Sequence, residues 1–343
     1  MDSYRDFKRL MFKHRCLYKC LILLCVILEF KVIGNDKRLK IRYTFNNREL
    51  IRAKKILKIL LVIVIVILVL IVILVFKFFA DAHKQAEDQA NMVKPDEELI
   101  GEHFYIPRED KEPVDVNIYI PSNIDIGLVP VVFNIHGGAF IAGDADTLDT
   151  QSDRISNDWD MAVVTINYKL ASGDYSIDYA VEEVVDTVKY FKEHCAEYGI
   201  DGNKVIIMGY SAGGYHAMAS TLALKKEGID ISAQVLCYAF LRDTLEIYNV
   251  MSEEQKSSVA PTLFILAGNE PIGGGSLQYE EVLREHRVST DVKVYDGALH
   301  GFIEENNPEY ENLHSKASKS PEQEIMARDA ENHIRDWLYG VLK

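Results

Sequence analysis

The sequence predicts an α/β protein with a mostly parallel central sheet, helices on both of its faces, and one transmembrane helix in front of that domain. Three features of the 343-residue chain lead to this prediction. Short apolar runs alternate with helical patterns in the second part of the chain, a Gly-Tyr-Ser-Ala-Gly sequence occupies positions 209–213, and an unbroken apolar run extends from Ile59 to Phe76. Strands that alternate with helices form parallel sheets whose two faces are covered.

Seven strands are predicted, and their order along the chain fits such a sheet. They span residues 117–120, 130–135, 161–168, 204–208, 233–238, 261–267 and 291–295. Helical patterns separate most of them, as at residues 177–197 and 213–226. Pro121 follows the first run, which therefore predicts an early antiparallel strand at the side of the sheet.

The segment at residues 204–214 is the most informative part of the chain. It reads as an apolar strand, a sharp turn and the beginning of a helix, which is the context of a G-x-S-x-G nucleophile turn. Gly209 and Gly213 remove side chains where the strand and the helix approach each other. Ser211 is then exposed at the tip, near a helix N-terminus that favours a developing negative charge. We predict Ser211 as a nucleophile, and the alternative is a solvated serine in a glycine-rich turn.

A second glycine-rich turn follows the strand at residues 130–135, in the sequence His-Gly-Gly-Ala. Backbone N–H groups in such a turn can point toward a substrate oxygen and form one half of an oxyanion hole. The other half is the N–H group of the residue after the nucleophile. The candidate oxyanion residues are Gly137, Gly138, Ala139 and Ala212.

Together these two turns resemble the α/β-hydrolase family, in its H-G-G branch of hormone-sensitive-lipase-like and bacterial acetylesterase-like esterases. That branch usually carries H-G-G-G, and Ala139 at the third glycine keeps the N–H group while it narrows the acyl side. The stretch at residues 167–171 is similar to the Tyr-Arg-Leu-Ala of the family, with Lys169 in place of Arg. The resemblance implies an α/β-hydrolase fold over about residues 100–343. It also implies that His136 supports its loop through hydrogen bonds and is not the catalytic base.

The general base is predicted at His300. In this fold the triad follows the order serine, acid, histidine, so that the base lies downstream of Ser211. His300 follows the strand at residues 291–295, and Gly301 leaves room for a loop that reaches the serine. The segment from Gly297 to Phe302 is also similar to the G-x-x-H-G-F stretch of the family.

Other histidines after the nucleophile have less suitable positions. His216 lies on the same predicted helix as the serine and is expected to face the core or the surface. His286 and His333 occur in charged helical stretches, where a solvated face is the better interpretation. His314 is the remaining histidine after Ser211.

The acid of the triad is predicted at Glu270. It follows the apolar strand at residues 261–267 and precedes Pro271, at the position where the family places Asp-Pro. A glutamate can orient the imidazole and stabilise the imidazolium, although its extra methylene requires a slightly retracted loop. The alternative is that Glu270 is a surface turn residue and that Asp243, after the preceding strand, serves as the acid.

The apolar run from Ile59 to Phe76 predicts a membrane anchor. Its 18 residues contain no charge and no Gly, Ser or Pro. At about 1.5 Å per residue, such a helix is long enough to cross a hydrocarbon core. Basic residues crowd its N-terminal side, which places the N-terminal segment in the cytosol and the following domain outside. No N-x-[ST] sequon occurs, which favours a bacterial cell surface over a eukaryotic lumen.

A shorter apolar run at residues 20–28 has two open interpretations. Nine residues are too few to span a bilayer, so the run is either the core of a leader or an interfacial segment. Three cysteines, Cys16, Cys20 and Cys25, lie in or near it. They are consistent with either palmitoylation or ordinary apolar packing.

Charge is divided unevenly along the chain. Residues 1–80 hold 17 Lys and Arg against 5 Asp and Glu, a net charge of +12. Since the whole chain has a net charge of −14, residues 81–343 carry −26. An acidic domain argues against nucleic acid as a partner. We expect no metal, because no Cys/His cluster or acidic loop has the spacing of a metal site.

These observations predict a membrane-anchored serine hydrolase that cleaves carboxylic esters with short acyl groups and needs no cofactor. Its expected organisation is a basic segment at 1–55, a transmembrane helix at 56–79, a linker at 80–112 and an α/β-hydrolase domain at 113–343. The short stretch at residues 240–261 predicts no large internal lid. Two alternatives stay open: a serine peptidase or amidase on the same fold, and a ligand-binding module without catalysis.

Overall fold

The computed structural model describes residues 47–90, 94, 96–122, 127–171, 174–241, 245–270, 273–307 and 319–343. The short apolar run at residues 20–28, Asp243 and His314 lie outside these described residues. The chain divides into two compact units, Met1–Phe79 and Ala80–Lys343.

A single long helix, α1, occupies Asn47–Ala90. Its segment Lys54–Lys77 has the length and the apolar composition needed to cross a membrane. The side chains from Ile59 to Phe76 are 46% to 75% exposed. Such a continuous apolar surface differs from that of a soluble core helix, whose apolar side chains are mostly buried.

The second unit is built on an eight-stranded sheet. Its strands are β1 Glu102–Ile106, β2 Val114–Tyr119, β3 Val129–Ile135, β4 Ala162–Asn167, β5 Ile200–Tyr210, β6 Ala233–Cys237, β7 Thr262–Ala267 and β8 Thr290–Tyr295. Their order is β1-β2-β4-β3-β5-β6-β7-β8. The β1–β2 and β2–β4 pairs are antiparallel, and every other neighbouring pair is parallel. The predicted mostly parallel α/β fold is therefore confirmed.

Seven described helices accompany this sheet. They are α2 Asp149–Trp159, α3 Ile177–Glu193, α4 Ala212–Lys226, α5 Leu245–Asn249, α6 Glu253–Ser257, α7 Gly274–Glu285 and α8 Pro321–Val341. Short 3-10 turns occur at Asp96–Glu98, Ala145–Leu148, Cys195–Tyr198 and Glu304–Asn306. Several helices begin with a serine cap, and Ser320, for instance, accepts a hydrogen bond from the Gln323 N–H at the start of α8.

The inner strands are buried on both faces. Along β3, Val131 and Phe133 pack into one apolar cluster while Val132 packs into another, and all three are almost fully buried. Successive side chains of a strand point to opposite faces, so each face of the sheet carries its own core. Cys237 at the end of β6 is buried and Cys195 is half-buried, and both are free thiols.

Strand β1 lies inside the region that the sequence predicted as a linker. It pairs antiparallel with β2, from Glu102 opposite Ile118 to Ile106 opposite Val114. Only Ile106 of this strand is buried. An edge strand has one neighbour and exposes most of its side chains, so its apolar pattern is too weak to predict a strand.

Candidate active site

Ser211 lies in the tight turn between β5 and α4. Its φ of 52° and ψ of −114° are in a region that residues other than glycine rarely adopt. A Cβ atom on Gly209 would lie 2.2 Å from the Gly213 carbonyl oxygen, so a side chain there would collide with the start of the helix. The Ser211 N–H donates to the Cys237 carbonyl at 3.0 Å, which ties the turn to the end of β6. These contacts hold the serine at the carboxyl edge of the sheet.

The histidine and the glutamate come from loops after β8 and β7, which are neighbouring parallel strands. Ala267 and Tyr295 are paired at the ends of these strands, and the Asn269 N–H donates to the Ala298 carbonyl at 3.1 Å. Because the two loops leave the same edge of the sheet side by side, they bring Glu270 next to His300.

A chain of hydrogen bonds connects Glu270, His300 and Ser211. His300 Nδ1 contacts Glu270 Oε2, and His300 Nε2 lies 2.8 Å from Ser211 Oγ. The Glu270 side chain is 4% exposed and that of His300 is 35% exposed. The three side chains named from the sequence therefore meet, with the histidine between the serine and the carboxylate.

Electrostatics at this site favour a positively charged imidazole. Burial tends to lower the pKa of His300, but the hydrogen bond and the negative charge of Glu270 outweigh burial. The charges of Glu304 and Glu305 act in the same direction, and the pKa of His300 is raised from its ordinary value of 6.5.

The glycine-rich loop after β3 lies beside the serine. A Cβ atom on Gly137 would lie 3.5 Å from the Ser211 Cβ. Gly138 has a φ of +126°, and a Cβ there would lie 1.8 Å from the Ala142 carbonyl oxygen, so only glycine fits. Ala139 follows with a positive φ of 52° and is exposed. Among the described residues, no acceptor binds the N–H groups of Gly137, Gly138, Ala139 or Ala212.

His136 is buried beneath this loop. Its Nδ1 lies 2.7 Å from the Gly137 carbonyl oxygen, and its ring stacks on Tyr168 with the centroids 4.3 Å apart. The Tyr168 hydroxyl donates to the His136 carbonyl at 3.1 Å. Burial lowers the pKa of His136 to about 4, so the ring stays neutral. These contacts hold the loop from below.

His216 does not join the triad. It is 1% exposed and packs against Tyr168 and Phe140, with ring centroids 4.5 Å and 5.4 Å away. Burial lowers the pKa of His216 to about 3. Of the other candidates, His286 Nδ1 lies 2.8 Å from the Val282 carbonyl oxygen, in the last turn of α7.

Two aromatic residues are hydrogen-bonded to the nucleophile turn, and a third packs against both. The Phe240 and Tyr215 N–H groups donate to the Ser211 carbonyl, at 3.0 Å and 3.3 Å. The ring of Phe140 contacts both of these residues edge-on, with centroids 5.5 Å from Tyr215 and 6.0 Å from Phe240. The three residues form an aromatic cluster next to the turn.

Sequence reasoning missed residues that hold the histidine loop. Gln323 on α8 accepts a hydrogen bond from the Leu299 N–H at 3.0 Å and donates to the Gly297 carbonyl at 2.9 Å. Glu304 is a buried carboxylate four residues after His300, and its partner is the Tyr238 hydroxyl. The sequence shows Glu304 and Glu305 shortly after His300, but no sequence pattern links either of them to Tyr238.

Comparisons with known proteins agree with this fold. A family model described as an α/β-hydrolase fold matches residues 132–252. An arylesterase of Saccharolobus solfataricus is 26% identical over 235 residues, which are 58% of this chain and 75% of the relative. An acetyl esterase of Salmonella schwarzengrund is 26% identical over 211 residues, 50% of this chain and 65% of the relative. The chain thus spans slightly less than two thirds of that acetyl esterase.

Solved structures show the same fold. A hyperthermophilic esterase from the archaeon Pyrobaculum calidifontis superposes with a TM-score of 0.58 at 21% identity, covering 76% of this chain and 92% of that chain. A bacterial heroin esterase superposes with a TM-score of 0.60 at 20% identity, covering 76% and 91%. The chain thus has the α/β-hydrolase fold and is similar to arylesterases and acetyl esterases.

Proposed function

We propose that this protein is a membrane-anchored serine hydrolase that cleaves carboxylic esters with short acyl groups. The class of carboxylic ester hydrolase is supported by the arylesterase and acetyl esterase relatives. The observation that carries the catalytic assignment is the hydrogen-bonded chain from Glu270 through His300 to Ser211.

Acylation begins with proton transfer from the serine. His300 Nε2 takes the Ser211 Oγ proton as Oγ attacks the ester carbonyl carbon. Glu270 accepts the hydrogen bond of the Nδ1–H group, which fixes the tautomer and stabilises the imidazolium. The imidazolium then gives its proton to the departing alcohol as the carbon–oxygen bond breaks. Water activated by His300 next attacks the acyl-enzyme, and the acid and free Ser211 are released.

The negative charge of the tetrahedral intermediate is stabilised by backbone N–H groups. Those of Gly137, Gly138, Ala139 and Ala212 are the candidates, and each lacks an acceptor among the described residues. Prepared donors of this kind act without reorganisation at the moment of reaction. His136 supports the loop that carries three of them, because its buried neutral ring contacts the Gly137 carbonyl.

Substrate size is expected to follow from the aromatic cluster of Phe140, Tyr215 and Phe240 next to the nucleophile turn. We expect kcat/KM of the full chain in detergent to be highest for p-nitrophenyl acetate or butyrate. It should fall about tenfold or more at eight carbons, since one methylene that does not fit a pocket costs about 1–3 kcal/mol. A profile that rises steadily to long acyl chains would contradict the short-acyl proposal.

The same assay separates an esterase from a peptidase or amidase. p-Nitrophenyl acetate and the matching p-nitroacetanilide share the acyl group and differ only in the scissile bond. We expect turnover of the ester and little turnover of the anilide. An anilide rate equal to the ester rate would favour an amidase on this fold.

The anchor is proposed at Lys54–Lys77, with the hydrolase domain outside the cytosol. Basic side chains before the span and the mixed charge after it support this orientation. The exposed apolar side chains from Ile59 to Phe76 support lipid as their surroundings. In this orientation the acidic hydrolase domain lies on the outside of the membrane, at the surface of a bacterial cell.

Several charges in the span are expected to release the protein from membranes. Arg at a helix centre costs about 2.5–3.5 kcal/mol on insertion, while each Ile, Leu or Val contributes about −0.3 to −0.6 kcal/mol. The triple change Val62→Arg/Val66→Arg/Leu70→Arg should therefore offset the insertion free energy of the 18-residue run and lower the carbonate-resistant membrane fraction about tenfold or more. The control Glu281→Arg, on the exposed face of α7, should leave that fraction unchanged. Equal retention of the triple variant and the parent would contradict anchoring by this helix.

Orientation requires a separate measurement. An amine reagent that cannot cross membranes should label Lys204, which is exposed, on intact cells. Labelling of Lys204 only after lysis would place the domain in the cytosol instead.

A further inference from the structure

A second buried carboxylate lies beside the triad. Glu304 belongs to the 3-10 turn Glu304–Asn306, one turn beyond His300, and is 5% exposed. Glu304 is not a member of the Ser211–His300–Glu270 chain. A charged group that is buried this fully is costly unless it is paired.

The partner of Glu304 is a tyrosine that follows strand β6. Tyr238, directly after β6, donates its hydroxyl proton to Glu304 Oε2. The same hydroxyl oxygen accepts from the Ile303 N–H at 3.3 Å. The Tyr238 ring also meets the His300 imidazole edge-on, with centroids 5.2 Å apart and planes at 67°. One fully buried side chain therefore contacts both the second carboxylate and the histidine.

Tyr238 has an unusual backbone for this role. Its φ is +36°, a value that costs energy for a residue with a bulky side chain. Its N–H donates to the Ile265 carbonyl at 2.6 Å. The bend turns the tyrosine out of the strand direction and aims its ring at the histidine loop.

Further contacts fix Glu304 in place. The backbone N–H and side-chain amide of Asn307 both donate to the Glu304 carbonyl, at 3.2 Å and 2.8 Å. Arg154 on α2 in turn donates to the Asn307 side-chain oxygen at 3.1 Å. On the opposite side, a Cβ atom on Gly137 would lie 3.5 Å from Glu304 Oε1. The carboxylate thus lies between the histidine loop and the glycine-rich loop.

The charges that face His300 come from two segments. Glu270 follows β7, Glu304 and Glu305 follow the histidine itself, and each raises the pKa of His300. Burial raises the pKa of Glu304 above its ordinary value of 4.5, and it outweighs the hydrogen bond from Tyr238 and the nearby His300, which lower the pKa. Glu270 raises the pKa of Glu304, and Cys237 and Tyr210 are the other titratable groups near it. An imidazolium at His300 therefore favours the ionised form of Glu304.

We propose that Glu304, held by Tyr238, is a positioning residue that stabilises the His300 imidazolium as Ser211 is acylated and fixes the loop that carries this histidine. The proposal rests on the proposed function, in which His300 is the base. Glu304 acts through His300 and the loop, and Glu270 keeps the direct hydrogen bond to Nδ1.

The test is the pH dependence of kcat/KM for p-nitrophenyl acetate, with the full chain in detergent. The acid limb of this profile reports the pKa of the free enzyme's base. Glu304→Gln keeps the shape and the acceptor for Tyr238 but removes the charge, so the limb should move to lower pH by about 0.5–1 unit. Glu304→Asp restores the charge and should return the limb to within about 0.3 unit of the parent.

Two further variants separate electrostatics from packing. Tyr238→Phe removes the hydroxyl that favours ionised Glu304, so its limb should move in the same direction by a smaller amount. Glu281→Gln removes an exposed charge on α7 and should not move the limb. If Glu304→Gln does not fold, as judged by thermal unfolding, Tyr238→Phe and Glu304→Asp decide the question by the same readout.

An unchanged acid limb of the pH profile in Glu304→Gln would overturn the proposal, whatever the change in rate. Where Glu304→Gln does not fold, an unchanged acid limb in Tyr238→Phe would overturn it. Failure of the proposed function looks different, because the parent then shows no ester hydrolysis that Ser211→Ala abolishes. In that case the His300 pKa is measured by NMR on histidine-labelled protein, with the resonance assigned by His300→Gln. A lower His300 pKa in Glu304→Gln still supports the electrostatic effect of Glu304 on His300, and an equal pKa refutes it.

Discussion

Ser211→Ala is expected to lower kcat/KM for p-nitrophenyl acetate to the background rate, a loss of about 10³- to 10⁶-fold. The change removes the Oγ atom that lies 2.8 Å from His300 Nε2, and no other group in the described site replaces it as a nucleophile. The residual rate reflects the oxyanion donors and substrate binding alone.

The folded state should tolerate this change. Alanine has the same Cβ as serine, and the strained φ of 52° at this position is unaffected. We expect the melting temperature to change by only a few degrees, because the lost interaction is a single half-exposed hydrogen bond worth about 1 kcal/mol. Loss of activity with retained stability assigns the effect to chemistry.

A matched control lies on the same helix. Ser220 on α4 is buried, and its hydroxyl donates to the Val181 carbonyl at 3.3 Å, away from the triad. Ser220→Ala should keep kcat/KM within about twofold, since it removes only a weak structural hydrogen bond. Substantial activity in Ser211→Ala, with Ser220→Ala unchanged, would refute the serine-nucleophile mechanism. A folded parent that turns over no ester would favour the ligand-binding module.

Glu270→Ala is expected to lower kcat by about 10³- to 10⁴-fold, because a triad acid fixes the tautomer and the orientation of its histidine. Glu270 Oε2 is the only described carboxylate that contacts His300 Nδ1. Its charge also keeps the pKa of His300 raised, so the acid limb of the remaining activity should move to lower pH.

Glu281→Ala is the control for Glu270→Ala. Glu281 is an exposed glutamate on α7, and its loss should leave the kinetic parameters unchanged. A near-parental rate in Glu270→Ala would exclude this residue as the acid and return the role to Asp243. The double variant Glu270→Ala/Glu304→Gln then measures whether the second carboxylate supports the residual rate of Glu270→Ala.

Several elements could be predicted because their signals are local. The turn around Ser211 is one example. Glycine is required where the backbones of the strand and the helix approach each other, and both glycines lie within the five residues 209–213. The inner strands were visible for a similar reason, since burial on both faces demands nearly continuous apolar runs. The predicted limits of β3 and β7 differ from the observed limits by one residue.

Other parts depend on which strands become neighbours. The sequence left Glu270 and Asp243 as alternative acids, because each follows a predicted strand. The adjacency of β7 and β8 brings Glu270 to the histidine loop. Likewise, His216 and His300 both follow Ser211 in sequence, and packing against Tyr168 and Phe140 buries His216 away from the triad.

The sequence by itself therefore determined the fold class, the nucleophile turn, the glycine-rich loop and the apolar span, because glycine sterics and hydrophobic length are properties of short segments. Only the tertiary structure decided the edge strand β1, the meeting of Glu270 with His300, and the pairing of Tyr238 with Glu304. The two side-chain contacts join residues 30 and 66 positions apart in the chain. Strand β1 has only one buried residue, so its own pattern is too weak to reveal its pairing with β2. Such contacts are set by sheet order and by burial, which no short segment encodes.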